Sequence, residues 1–457
     1  MWNAVDPEVG RVPRLSANQM VGGTRAYRHE PRQLLRLCLM PTIVLKFGGT
    51  SLGDTKAVAR CARRIATRHE EGDRVVVVVS AMGQQTDKLL ALGSELHPEG
   101  KARELDLLMA AGEQIAAALT AMALEALGVE ATALTGAQAG LSTDNIHGRA
   151  RIVGISTARI LEELNAGRVP VVMGFQGITS EGELTTFGRG GSDTTAVALA
   201  AALNVVADGG CCEINTDVAG IHTADPRLVA NARLLDRISY DEMLELALHG
   251  ARIMDPRALV FGDKYRVPIR VRHSRRPGEG TLITTMEKNM ERPSVVGCAL
   301  KENIGRIALR IPAGDDEVQA RLFEATAQAG IIVDDIIQTE FQKRVHIAFT
   351  VDHEDLPTVR TAIVGALGDL AEDTEEPEVE IGLSKISAVG TGMKTHSGIA
   401  SRMFRAFADN GIPIRNITTS EIKISCLVPQ ELGMLALEAI HDCFELGRPA
   451  TESISET

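Results

Sequence analysis

The chain has 457 residues, 44% hydrophobic and 24% charged, a length and composition that suit about two to four soluble globular domains rather than one. A net charge of -12 argues against a polyanionic partner, and 3% aromatic residues leave few stacking platforms for nucleic acid. The seven cysteines form no CxxC pair, which points to reduced thiols in a cytosolic protein, and no apolar run is expected to span a membrane.

Residues 1–40 mix prolines, arginines and polar residues without a period, and Leu34–Met40 is too short and interrupted for a secretory core. They read as a flexible extension, or as the product of an upstream start with Met40 the natural beginning of the fold. Thr42–Leu45 then reads as a buried strand, followed by Lys46-Phe47-Gly48-Gly49-Thr50-Ser51 and a helix from Thr55. A lysine leaving a strand before two glycines can reach phosphate oxygens while the glycines admit them to the backbone. The order and spacing differ from the Walker loop, and taken alone Lys46 reads equally well as a solvated strand end.

Val75–Val79 is a continuous β-branched run, as expected of a strand buried on both faces. Arg168–Phe175 and Val267–Val271 are similar, with helices expected over Glu104–Ala126 and Tyr240–His249. Between them the β-prone Glu183–Phe187 enters a second glycine loop, Gly188-Arg189-Gly190-Gly191-Ser192-Asp193-Thr194-Thr195, before the helix-forming Ala196–Leu203. Arg189 offers a planar fork for a carboxylate or phosphate, and Asp193 supplies the opposite charge nearby. Such a loop suits a zwitterionic or phosphorylated ligand. The alternation predicts a parallel-rich sheet sandwiched by helices, with ligands at the carboxyl ends of its strands.

A catalytic domain is thus expected over 41–275 and a linker over 276–304, opening with Arg275-Arg276-Pro277-Gly278-Glu279-Gly280. Beyond it lies an internal repeat: Arg321–Ile331 aligns without gaps to Arg402–Ile412, and the match continues to Ile336/Ile417 and Glu340/Glu421. In each copy a helix ends at a glycine and leads into β-prone residues, the ferredoxin-like βαββαβ pattern occurring twice, over 305–380 and 381–457, with strands free to interleave. The repeat reads as a sensing module or as a dimerisation module.

The two glycine loops, in order with Val79-Ser80-Ala81-Met82-Gly83, Ala111-Gly112-Glu113-Gln114, Leu134–Gly140, Thr216-Asp217-Val218, Thr223–Arg227 and Ile238–Met243, resemble the signature of the aspartokinases within the amino-acid kinase superfamily. The repeat resembles their paired ACT domains. The resemblance implies ATP- and Mg2+-dependent phosphorylation of L-aspartate to 4-phospho-L-aspartate, towards lysine, threonine and methionine. It also implies lysine or threonine as effectors and a cytoplasmic homo-oligomer formed through the ACT domains. It assigns catalysis to Lys46 and Asp193, and substrate binding to Ser80, Thr86, Glu113, Arg189 and Ser192. ATP binding falls to Lys46, Gly48, Gly49, Ser51, Thr216, Asp217, His222, Arg227 and Arg252, with the metal carried by the nucleotide. Without the resemblance, Glu113 reads as a helix-surface charge.

Several positions depart from the family pattern. Asn215 and His222 stand where aromatic residues are usual, Arg252 replaces a lysine, and Asp255 replaces a histidine. Asp255 would set an anion beside the nucleotide unless Arg252 or Arg257 pairs with it. The first repeat carries Ala313-Gly314-Asp315-Asp316-Glu317 in place of an Asp-x-Pro-Gly turn, so its effector response is expected to be altered or lost. A specialised paralogue with a different substrate or regulation, and a non-catalytic amino-acid sensor, are the competing readings.

Overall fold

The computed structural model describes residues 40–448 apart from 99, 252, 287–292, 313–315, 342–343, 368–376 and 395. The expected N-terminal extension and Arg252 therefore lie outside the described residues. The chain separates into a unit ending at Met40 and a compact unit from Pro41 onward.

The catalytic half opens with β1 (Thr42–Phe47), α1 (Thr55–Glu70), β2 (Arg74–Val79), α2 (Gln85–Leu96) and α3 (Ala102–Glu125). Next come β3 (Ala131–Leu134), β4 (Leu141–Thr143), β5 (Ile152–Ile155), α4 (Ala158–Asn165), β6 (Val169–Met173), β7 (Gln176–Ile178) and β8 (Leu184–Thr186). It closes with α5 (Gly191–Ala202), β9 (Cys211–Thr216), β10 (Arg237–Ile238), α6 (Tyr240–Leu248), α7 (Pro256–Tyr265), β11 (Ile269–His273) and β12 (Thr281–Ile283).

Eight of these strands form one sheet in the order β10-β12-β11-β9-β1-β2-β6-β3, parallel except where β12 runs against β11. Alternation along β1 and β2 divides the interior into two cores. Ile43, Leu45, Phe47, Val75, Val77 and Val79 pack under α1 and α3, whereas Val44, Val76 and Val78 pack with residues of α5, α6 and α7. A sheet buried on both faces explains why its strands read as unbroken apolar runs. The β4, β5, β7 and β8 strands make a separate four-stranded sheet that leads into the second glycine loop.

Two expectations need correction. The helix predicted from Ala196 begins at Gly191, so Ser192 and Asp193 lie in its first turn. Glycine, serine and aspartate are weak helix formers, but burial of the whole first turn overrides that preference. Contrary to the sequence expectation, α3 is long and apolar enough to cross a bilayer by length and composition. It is instead a core helix, and it turns the buried carboxylates of Asp106 and Glu113 into the domain.

The regulatory half contains β13 (Gly297–Pro312), α8 (Asp316–Gln328), β14 (Asp334–Phe341), β15 (Arg344–Asp352), α9 (Leu356–Leu367) and β16 (Glu378–Val389). It continues through α10 (Ile399–Asp409), β17 (Asn416–Thr419), β18 (Lys423–Pro429) and α11 (Gly433–Cys443). These strands form one antiparallel sheet, β14-β15-β13-β16-β18-β17, rather than two separate ones. The first half of β13 pairs with the second half of β16, which also pairs with β18, and the later half of β13 pairs with β15 on one side and the first half of β16 on the other. Both long strands thus run through both repeats, and the second repeat takes one strand from upstream of the first. The stretch 276–304 is not a linker throughout, because Thr281–Ile283 joins the catalytic sheet and Gly297 onward begins β13.

The two halves are bolted together through α6 and the 221–235 hairpin. Glu242, which closes a capping box with Ser239, accepts hydrogen bonds from the amide and hydroxyl of Thr391 at 3.0 and 2.6 Å. Lys423 lies 3.1 Å from Glu245 and 2.7 Å from His249 Nε2. Thr223 Oγ1 lies 3.0 Å from His441 Nε2, and the Thr223 carbonyl accepts from the Cys298 amide at 2.8 Å.

Within the regulatory sheet, Lys385 is 1% exposed and bonds Asp334 at 2.6 Å and Asp335 more closely still. Burial opposes ionisation of Asp334, but the Lys385 ammonium outweighs it and holds that carboxyl down to about 2. Replacing Lys385 by methionine should destabilise the chain by about 3 kcal/mol, because Asp335 is left as an uncompensated buried charge. Urea unfolding followed by circular dichroism checks this, and an additional Asp335→Asn should recover part of the loss.

Candidate active site

The carboxyl ends of β1, β2, β6 and β9 meet at one edge of the parallel sheet, where chain reversals leave backbone groups facing a common space. Lys46, one residue from the end of β1, is 9% exposed, and its Nζ lies 2.5 Å from Asp193 Oδ1. Asp193 sits in the first turn of α5, where the helix N-terminus favours a negative charge. The two glycine loops, distant in sequence, are therefore joined by a buried ion pair.

The glycines serve this approach. A methyl group on Gly49 would stand 2.7 Å from the Ala81 carbonyl oxygen, and one on Gly48 would reach the Lys46 ammonium at 3.6 Å. The Asn215 carbonyl receives the Gly48 amide at 3.2 Å and the buried Ser51 hydroxyl at 3.4 Å. This ties the first loop to the end of β9 and brings Thr216 and Asp217 alongside it. Thr216 Oγ1 donates to Asp217 at 3.0 Å.

On the other side, Gly188 and Gly190 adopt φ values of 79° and 76°, which an L-residue with a side chain rarely takes. Arg189 projects between them, exposed and with no ion pair among the described residues. Ser192 is 7% exposed, and its Oγ lies 2.7 Å from where a Gly174 methyl would be, beside the end of β2. The Ser80 amide donates to the Phe47 carbonyl at 3.1 Å. Thr86 lies half-buried near the start of α2.

Glu113 is 3% exposed and accepts the Ala81 amide at 2.9 Å through Oε1, while Oε2 has no partner. It is not the helix-surface charge that the residue alone suggests. Burial pushes its carboxyl from 4.5 to about 7, and the Ala81 hydrogen bond offsets only part of that rise.

Asp255 does not pair with Arg257 through its side chain. It caps α7, accepting the Arg257 amide at 2.9 Å and the Ala258 amide at 3.3 Å, with the Thr194 hydroxyl at 3.1 Å. Burial, and to a lesser degree the nearby Asp193, raise its pKa against these bonds. The Arg257 guanidinium donates instead to the Phe187 carbonyl at 2.7 Å and the Ala150 carbonyl at 2.8 Å.

The structure does not bring every expected ligand to the Lys46 centre. Arg227 is exposed and held 2.6 Å from Asp225, so its guanidinium is occupied locally. His222 bridges to Leu234 in the same hairpin, and burial lowers its pKa below the usual imidazole value. Phe175, which no motif singled out, has φ 70° and donates its amide to Thr195 Oγ1 at 3.0 Å. A methyl on Gly191 would press against the Phe175 ring at 2.9 Å, so the third glycine of the loop makes room for this aromatic. The glycine spacing was the only sequence trace of that contact.

Because Glu113 stays protonated in the native state up to about pH 7, but unfolds to an ordinary carboxyl, the native state binds more protons between these limits. The contribution of Glu113 to stability therefore falls as pH rises from 4.5 towards 7 and levels off above. Glu113→Gln should flatten this decline, a relative gain of about 3 kcal/mol at most by pH 7. Thermal unfolding midpoints across that range check it, and parallel pH profiles for parent and variant would refute it.

The amino acid kinase family model matches residues 41–273, and an ACT domain model matches 386–444. Aspartokinase 2 of Bacillus subtilis (strain 168) is 44% identical over 410 residues, covering 90% of this chain and 99% of its own length. E. coli aspartokinase III in complex with aspartate and ADP, in the R-state, aligns with a TM-score of 0.74 at 26% identity over 88% of this chain and 99% of its own. The same enzyme with lysine and aspartate, in the T-state, aligns with the same coverage of both chains and identity but a TM-score of 0.66. With two glycine loops joined at one sheet edge and a relative matching nearly end to end, the chain belongs to the aspartokinase family.

Proposed function

We propose that the chain transfers the γ-phosphoryl group of ATP to the β-carboxylate of L-aspartate, giving 4-phospho-L-aspartate and ADP, under control of amino acids at its ACT layer. The observation that carries this reading is the buried Lys46–Asp193 pair between two glycine-rich loops. A carboxyl with a pKa of about 4 is already ionised at neutral pH, so the acceptor needs no general base. The task is to bring two anions together and neutralise charge on the moving phosphoryl group. A site with a lysine, an arginine without an ion pair among the described residues and glycine-loop amides suits that task.

In this reading Lys46 bridges the phosphoryl group and Asp193 holds the ammonium in place. Arg189 grips the substrate α-carboxylate in a bidentate pair, while Ser80, Thr86, Glu113 and Ser192 line the pocket. Gly48, Gly49 and Ser51 cradle phosphates, and Thr216, Asp217 and His222 face the nucleoside. Arg227 joins the phosphates only by leaving Asp225, and Arg252 is assigned to them by the family resemblance alone. Mg2+ rides on the nucleotide phosphates with water completing its shell. Among the described residues no group of three or more His, Cys, Asp or Glu side chains gathers to hold a metal directly.

We place the reaction in the cytoplasm, on the route to lysine, threonine and methionine. Support comes from the cysteines, which are free thiols among the described residues. Lysine or threonine at the ACT layer would act through α6 and the Thr223–His441 contact, which reach the nucleotide hairpin. Exposed Ile332, Ile336 and Ile381 support placing a homo-oligomer contact on the same layer.

Purified protein given Mg-ATP, L-aspartate and hydroxylamine should accumulate aspartyl hydroxamate, and Lys46→Ala should lower that rate at least about 100-fold. Product from another amino acid but not from aspartate would favour a paralogue, and ATP binding without any product would favour a sensor. Lysine or threonine should raise the melting temperature, and Asp315→Ala should leave that rise intact because the first repeat has lost its usual turn. Loss of the rise in that variant would restore the first repeat as a sensor. A monomeric sedimentation coefficient would remove the oligomer from the account.

A further inference from the structure

Asp106 lies on α3 two helical turns before Glu113, on the same buried face, yet it stands apart from the Lys46 centre. It is fully buried. Its carboxylate accepts the Gly148 amide at 3.1 and 3.0 Å, takes a short hydrogen bond from the Thr186 hydroxyl, and lies 2.8 Å from His147 Nδ1. Taking a carboxylate out of water is costly even when its oxygens are hydrogen-bonded, so its place here asks for a reason beyond packing.

The segments it grips supply one. Residues 147–150 and 186–187 are laced by the Ala150 amide on the Thr186 carbonyl at 2.9 Å, and by Arg257 across the carbonyls of Ala150 and Phe187. Asp106 collects the donors of these segments and Arg257 their carbonyls, so the pair forms a two-sided clamp. Directly after it comes Gly188, in the left-handed region, where a methyl would stand 3.1 Å from the Gly148 carbonyl oxygen. The position of Gly148 therefore limits the path of Gly188 and the direction in which Arg189 leaves the turn.

We propose that Asp106 is a positioning residue for the amino-acid substrate: by holding Gly148 and Thr186 it aims Arg189 at the substrate's α-carboxylate. This rests on the assignment of Arg189 as the carboxylate-binding group. The clamp acts on one arm of the site and leaves the Gly48–Ser51 loop untouched, so its loss should separate the two substrates kinetically.

Steady-state kinetics on the full chain, with L-aspartate and with its α-amide as alternative acceptors, test it. The amide keeps the reacting β-carboxylate and removes the charge that Arg189 would bind. Arg189→Met should bring the preference for aspartate over the amide close to parity. Asp106→Asn, which keeps the side-chain shape but replaces one acceptor oxygen by a donor, should raise the KM for aspartate about tenfold, lower the preference to match, and leave the KM for ATP within about twofold. Thr186→Val removes one bond of the clamp and should move the same quantities in the same direction by less, which decides the matter if Asp106→Asn fails to fold. A collapse of preference in Arg189→Met with full preference in both clamp variants overturns the inference alone. Equal rises in both KM values with preference kept would do the same, marking Asp106 as structural. Preference kept in Arg189→Met overturns the carboxylate assignment, and the inference falls with it.

Discussion

A lysine and an aspartate, each about one-tenth exposed, meet at the mouth of a parallel sheet, and much of the surrounding chain exists to let them do so. Taking two charges out of water is expensive, and their mutual attraction seldom returns more than an apolar pair would. The pair is therefore better understood as preorganised charge than as a source of stability. Around it the constraints are steric. Gly49 must lie against the Ala81 carbonyl, Gly191 must clear the Phe175 ring, and Gly190 must leave room for Asp255. The α5 helix must also begin at Gly191 so that Asp193 falls in its first turn.

That arrangement sets a local field against the charge of the whole molecule. At -12 the chain repels anions at long range, yet both substrates are anionic. In the proposed reading the answer is local: the Lys46 ammonium held by Asp193, the Arg189 guanidinium without an ion pair among the described residues, and backbone amides on glycine loops. Asp255, an apparent liability beside the nucleotide, is absorbed as the cap of α7, with two amides and a hydroxyl on its oxygens. Its negative charge meets the positive end of a helix rather than open space.

What could be read from the residues was whatever local chemistry determines. The strands β1, β2 and β6 were legible because a doubly buried strand has a β-branched, apolar composition, and the glycine loops only as a pair in order with the other motifs, since either alone reads equally as an ordinary strand-to-helix turn. Glu113 entered only by resemblance, since nothing in its neighbours along the chain shows that α3 turns it inward. Asp106 left no local signal, because its partners lie some forty to eighty residues away, and Phe175 left only the glycine that makes room for it. Arg227 was placed by its motif but is drawn aside by Asp225, two residues before it, a competition that position alone does not rank. The repeat was visible as an alignment, but the sharing of β13 and β16 between the copies was not, since pairing depends on which edges the helices leave open.

That sharing has a consequence for how the molecule can be taken apart. β13 and β16 are long strands, 16 and 12 residues, and each serves both repeats. At about 3.3 Å per residue the longer spans some 50 Å. No cut between the repeats yields two complete pieces, since either fragment would leave with an unpaired edge and a bare apolar face. The natural unit of inheritance is therefore the doublet: a single repeat could not be grafted onto another enzyme, and recombination within this region must move both copies or neither.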